Sequence, residues 1–170
     1  MTKAILKLSI RIFKIIEMTF SEDNYKFMYA ALQEAEKAYE INEVPIGAVV
    51  IHGNRIIGRG YNQVEMLKDA TAHAEMIALT AASNALENWR LTECDLYVTV
   101  EPCVMCSGAA LLSRLRTIYF GAFDPKFGAC GSVFDLIEQN KYNHSIEIYS
   151  GLLADESKFL LTKFFNKVRN

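Results

Sequence analysis

"DLYVTVEPCVMCSGAALLSRL", residues 95–115, reads as one βα unit. Residues 95–101 are β-branched, aromatic and mostly apolar, the pattern of a strand buried on both faces. Pro102 ends that strand, and residues 103–115 are rich in helix formers with the proline just ahead of the first turn. Two cysteines, Cys103 and Cys106, stand at the start of the expected helix.

Working outward from this unit, "SEDNYKFMYAALQEAEKAYEI" (21–41) predicts a first helix with Ser21 as its cap and Phe27, Ala30, Ala31, Ala35 and Ala38 at helical spacing. "IGAVVIHGNRIIGRGY" (46–61) predicts a hairpin, two apolar strands around the turn dipeptide Gly-Asn. Residues 62–72 have no clear period and read as a loop leading into a helix over 73–86. After the opening unit come a strand at 117–122, a loop "FDPKFGACGS", a short helix at 133–139, a strand near 146–149 and a last helix at 155–168. A hairpin followed by βα units implies a mixed sheet covered by helices. The expected fold class is therefore α/β, a three-layer α/β/α domain with a mixed five-stranded sheet.

The bulk numbers agree. A chain of 170 residues suits one domain with a core of its own, and 51% hydrophobic with 22% charged residues is ordinary globular composition. No run approaches the roughly 18 apolar residues of a membrane span, so no membrane partner is expected. A net charge of −2 argues against general nucleic-acid binding. Four cysteines, with one closely spaced pair and no secretory signal, indicate metal or redox chemistry in a reducing, cytoplasmic setting.

Residues 1–17, "MTKAILKLSIRIFKIIE", differ from the rest, with Lys3, Lys7, Arg11 and Lys14 at helical spacing among Ile, Leu and Phe. They read as a basic amphipathic extension to a domain spanning 18–170, Met18 being an alternative start. Without them the chain loses four basic residues and one acid, and the net charge falls from −2 to −5.

The chemistry lies in how two motifs combine. At a helix start, Cys103 and Cys106 fall within about 60° of one face, where the positive helix end favours the metal-binding thiolate. Alone, Cys-x-x-Cys is ambiguous between redox, structural and catalytic roles. His73, in "TAHAEMIAL" (71–79), also begins a helix after a loop, and supplies a third ligand. Three protein ligands leave one position of a tetrahedral zinc open to water, the catalytic arrangement, and zinc lowers the pKa of that water to about 7. Glu75 follows two residues later. In a regular helix that spacing points the two side chains about 200° apart. At a first turn, one can ligate while the other reaches over the metal-bound water, which makes Glu75 a proton shuttle rather than a ligand.

"HAE" followed by "PCVMC" resembles the signature of the zinc-dependent nucleoside and nucleobase deaminases, the cytidine and deoxycytidylate deaminase superfamily. "EVPIGAVV", "GYN", "LYVTVEPCVMCSGA", "FGAFDPKFGACGS" and "GLLADE…LLTKFF" extend the resemblance to the bacterial tRNA-specific adenosine deaminases, from about residue 24 onward. The resemblance implies a cytidine-deaminase-like fold, one Zn2+ per subunit on His73, Cys103 and Cys106, and Glu75 moving protons. The activity it implies is hydrolytic conversion of the wobble adenosine of a tRNA anticodon loop to inosine. It further implies that Asn62 contacts the flipped nucleoside and that the backbone around Ala74 bonds the base edge. Lys126 would stand in the substrate loop, Phe164 and Phe165 would help enclose the anticodon loop, and the working unit would be a homodimer. Residues 1–17 have no counterpart in the family pattern.

Arg114, Arg116, Lys126, Lys158, Lys163, Lys167 and Arg169 are candidates for the few phosphate contacts a compact loop needs. Two alternatives stand beside this reading: a deaminase of a free nucleobase or nucleoside (guanine, cytosine or cytidine) with the same zinc chemistry, and a non-catalytic zinc or redox module in which Cys103 and Cys106 are structural.

Overall fold

The computed structural model describes residues 20–137 and 142–169. The basic segment 1–17 lies outside the described residues.

Helix α1 (Glu22–Glu40) starts where the sequence places it. The Ser21 hydroxyl accepts from the Asn24 amide, and the Asn24 side chain accepts from the Ser21 amide, so two free helix-end donors are satisfied reciprocally. Strands β1 (Gly47–His52) and β2 (Arg55–Tyr61) form the expected hairpin. Its turn residues Gly53 and Asn54 both have positive φ, +52° and +63°, the backbone that a two-residue turn with right-handed strand twist requires. A short helix, α2 (Val64–Leu67), stands in the stretch read as loop, followed by α3 (Ala74–Leu86).

The βα unit is β3 (Cys94–Val100) and α4 (Val104–Leu112). Helix α4 ends three residues short of the sequence expectation, because Ser113 caps it and Arg114 takes a left-handed backbone at φ +63°. Strands β4 (Thr117–Ala122) and β5 (Glu147–Ser150) and helix α5 (Ala154–Arg169) complete the chain. The short helix expected at 133–139 is corrected over its described part. Residues 133–136 form bends and a bridge between Cys130 and Asp135, with the Gly128 carbonyl accepting from the Val133 and Phe134 amides, while Ile137 is in 3-10 conformation and residues 138–139 lie outside the described residues.

The sheet order is β2-β1-β3-β4-β5. The β1 pairings are antiparallel, while β3–β4 and β4–β5 are parallel, so the sheet is mixed as expected. Helices α3 and α4 cover one face, packing on Val50, Leu96, Val98, Ile118 and Phe120. Helix α1 covers the other through Phe27, Met28 and Ala31 against Val49, Ile51 and Tyr97. Helix α5 joins α1 in that layer, where Phe164 meets Tyr39 edge to face.

One close approach sets the position of the site. A Cβ on Gly60 of β2 would lie 2.2 Å from the Ala74 carbonyl oxygen and 2.7 Å from the Ala78 nitrogen, and one on Gly58 would lie 2.2 Å from the Ala78 carbonyl oxygen. Only glycine at both positions lets the α3 backbone rest directly on β2. The strand therefore fixes where α3 begins. Among the described residues, no helix is long and apolar enough to cross a membrane.

Candidate metal centre

Two helix starts converge on one point. His73 is the residue preceding α3, with extended backbone at φ −75° and ψ 152°, and Cys103 holds the same position before α4 at φ −73° and ψ 176°. Such positions usually carry Ser, Thr, Asp or Asn bonded back to the helix. Here neither side chain caps its own helix, and both project across the gap instead. His73 Nδ1 lies 3.7 Å from Cys103 Sγ and 3.6 Å from Cys106 Sγ. The three ligand atoms all lie within 4.8 Å of one another, and among the described residues no other group of histidine, cysteine and carboxylate side chains does this. For a tetrahedral ion with Zn–S near 2.3 Å and Zn–N near 2.05 Å, the ligand atoms stand about 3.6 Å apart. The donor set and its spacing fit zinc.

The electrostatics fit a metal-binding group too. The Cys103 thiol is held down to about 4, first by its bond with Cys106 and then by His73. The same bond and burial push Cys106 up, so without a metal the two sulfurs hold each other's titration apart. His73 is raised by its bond to Cys103. Glu75, 4% exposed in the first turn of α3, is raised by burial. Because His73 stands outside the helix, with extended backbone, the 200° separation of a regular helix does not apply to the pair.

Asn62 follows β2 and is buried, and its neighbour Gln63 bonds the Ala72 carbonyl at 3.0 Å, drawing the 62–72 segment to the start of α3. Ala74 is wholly buried against β2. Lys126 is exposed in the 123–132 loop, which the structure ties to the ligand segment through a bridge between Cys103 and Gly128. Phe164 and Phe165 stand apart from this group. Phe164 is buried against Tyr39, and the exposed ring is that of Phe165. Of the candidate cations, Arg116 holds Asp95 in a two-point pair at 2.9 and 2.6 Å, and Lys167 donates to Asn42 at 2.7 Å.

Two buried carboxylates frame the site, and sequence reading assigned neither a role. Glu43 accepts from the Asn62 side-chain amide at 3.1 Å and from the Met66 backbone at 2.7 Å. Glu101 accepts from the backbone of Asp124, Cys130 and Ser132. The available signal was an acid in an apolar setting, "NEVPIG" and "VTVEPC".

The family model of the MafB19-like deaminases matches residues 22–169. The tRNA-specific adenosine deaminase of Bacillus subtilis (strain 168) is 46% identical over 143 residues, 84% of this chain and 89% of that protein. This chain belongs to the tRNA-specific adenosine deaminase family. The Aquifex aeolicus (strain VF5) member is 44% identical to this deaminase over 144 residues, 85% of this chain and 95% of that one. A solved structure from studies of A-to-I editing at the wobble position of transfer RNA is 46% identical, with a TM-score of 0.77 over 80% of this deaminase and 99% of that chain. A guanine deaminase from Nitrosomonas europaea, 24% identical, shares the fold at a TM-score of 0.74 over 87% of this deaminase and 86% of that chain.

Proposed function

We propose that this deaminase converts the wobble adenosine of a tRNA anticodon loop to inosine, with one zinc ion held by His73, Cys103 and Cys106. The observation that carries the reading is the meeting of those three ligand atoms, at 3.6 and 3.7 Å, beside the buried Glu75. The close relatives whose names specify tRNA and adenosine support the choice of substrate.

Zinc at this position would supply water acidified toward neutrality. The chain's own residues do the rest. Glu75, as carboxylate, accepts a proton as water adds to C6 of adenine and delivers that proton to N1. The second proton of the water leaves with the amine as ammonia, so adenosine and water become inosine and ammonia. Asn62, fixed by Glu43, and the backbone around Ala74 hold the nucleoside, Lys126 and Phe165 serve the surrounding loop, and the buried Phe164 backs the Phe165 ring at 5.4 Å between centroids. An unpaired loop base lowers the cost of presenting the adenine to a closed site.

The working unit in this reading is a homodimer in the cytoplasm. An open groove of about 740 Å³ between α3 and α4, lined by Met76, Leu79, Trp89, Leu111 and Leu112, is a face that a second copy would cover, and Leu112 is 76% exposed on it.

The test offers purified, zinc-loaded protein an anticodon stem-loop with adenosine at the wobble position, alongside free adenine, guanine, cytosine and their nucleosides. Inosine in the stem-loop, detected by mass, is the expected result. Turnover of a free base or nucleoside alone would overturn it in favour of the small-molecule reading.

A further inference from the structure

Glu101 is 3% exposed, and its carboxylate sits inside the 123–132 loop. One oxygen accepts from the Cys130 and Ser132 amides, both at 3.0 Å, and the other from the Asp124 amide at 3.1 Å and the Ser132 hydroxyl. Three backbone donors converging on one carboxylate resemble a nest closed on a bound anion. A second tier lies outside it. The Asp124 side chain accepts from the Lys126 amide at 2.9 Å and the Phe127 amide at 3.2 Å, and its carbonyl accepts from Gly128 at 3.0 Å. A Cβ on Gly128 would lie 2.4 Å from the Glu101 carboxylate, so the loop backbone closes directly onto that group. The loop has a defined shape imposed from within.

What this shape presents is apolar. Phe127 is 67% exposed, and Lys126 beside it is exposed as well. Exposed rings taken one at a time are ordinary, and Phe123 and Phe134 nearby are exposed as well. The place of Phe127 is not: it directly precedes Gly128, which bridges the ligand Cys103, and the Ala129 amide bonds the Pro102 carbonyl at 2.9 Å. An aromatic ring and a cation on adjacent residues at the edge of a base-accepting site suit single-stranded RNA, where one stacks on a base and the other meets a phosphate. Holding the loop backbone beneath the ring in place beforehand removes ordering cost from binding.

We propose that Phe127 is a stacking platform for a base flanking the reacting adenosine, presented by a loop that the buried Glu101 carboxylate shapes. This rests on the RNA-substrate reading above. Phe127 is a specificity-determining residue and Glu101 a positioning residue.

The experiment uses the full-length, zinc-loaded protein and three anticodon stem-loops: the intact one, one abasic at the nucleotide 5′ to the wobble adenosine, and one abasic at the nucleotide 3′ to it. F127A raises KM for the intact stem-loop about tenfold, the order of one lost base stack, and leaves kcat unchanged. F127W restores KM and F127L does not. One of the two abasic stem-loops costs the wild type a similar factor and costs F127A nothing further. Glu101→Gln raises KM in the same way with zinc content intact. Gly128→Ala, which crowds the carboxylate from the loop side, gives the same signature. The proposal is overturned if F127A matches the wild type on the intact stem-loop, or if its loss multiplies with both abasic losses. It is equally overturned, in favour of a protein partner, if F127A alters only self-association. Failure of the wild type on the intact stem-loop instead sinks the proposed function itself, and this inference with it.

Discussion

Asn62 donates its side-chain amide to Glu43 at 3.1 Å, and both residues are buried. The orientation of Asn62 is therefore set by an acid 19 positions earlier in the chain. Replacing Glu43 by Ala strips partners from Asn62 and from the Met66 amide, at about 1–3 kcal/mol for each unsatisfied group. The expected outcome is a lower thermal midpoint and a raised KM, with zinc content unchanged by metal analysis. An E43A protein with wild-type KM would remove Asn62 from the substrate site.

Glu75→Gln keeps the shape of the side chain and removes its proton-accepting charge. Zinc content should stay at one ion per chain while single-turnover deamination falls about 10²- to 10⁴-fold. A non-catalytic zinc module predicts no change in any turnover, so this variant separates the two classes of reading.

Removing the metal should change thiol reactivity in a defined order. In the metal-free protein the Cys103 thiol is held down to about 4, while burial pushes Cys94 up to about 11 and Cys130 up to about 12. An alkylating reagent at pH 7.5 should then label Cys103 after chelation and leave Cys94 and Cys130 unlabelled until the chain unfolds. Peptide mass mapping reads the sites. Protection of Cys103 should return when zinc is added back.

Gly60→Ala puts a methyl group 2.2 Å from the Ala74 carbonyl oxygen, and backbone cannot yield there as a flexible side chain would. The expected cost is about 1–3 kcal/mol in stability. Because the same contact fixes the start of α3, the variant should also lose zinc affinity, measured by competition with a chromophoric chelator. Loss of stability without loss of affinity would show that α3 holds His73 in place by other contacts.

Binding of the stem-loop should weaken only gently with salt. Arg116 is tied to Asp95 and Lys167 to Asn42, which limits the cations left for phosphates. About three phosphate contacts on an unpaired strand give a slope near −2 in log K against log salt concentration. A slope several times steeper would mean a wider basic surface than the described residues offer.

Much of this was legible because its signals are local. The Gly-Asn turn set the hairpin, the proline and small residues set the βα unit, and the two ligand motifs marked the starts of α3 and α4. Helix α2 was not legible: it has four residues and Gln63 makes no side-chain cap, so neither period nor cap announces it. Glu43 and Glu101 were visible as acids, but their roles depend on partners 19 to 31 positions away. Phe164 and Phe165 are adjacent letters, and only the packing of α5 on Tyr39 shows that one ring faces inward and the other outward.

The seam between β1 and β3 divides the sheet into an antiparallel and a parallel half. His73 comes from the helix on the first half, and Cys103 and Cys106 from the helix on the second. Along the chain, α3 is joined to β3 by residues 87–93, exposed at 87–90 and anchored in the core by Leu91. A chain cut there would leave two fragments, one carrying only His73 of the ligand set and the other only Cys103 and Cys106, so that neither holds the full set. Zinc uptake by the mixed fragments would then report their reassembly, making the ion a probe of whether the two halves of the sheet have found each other.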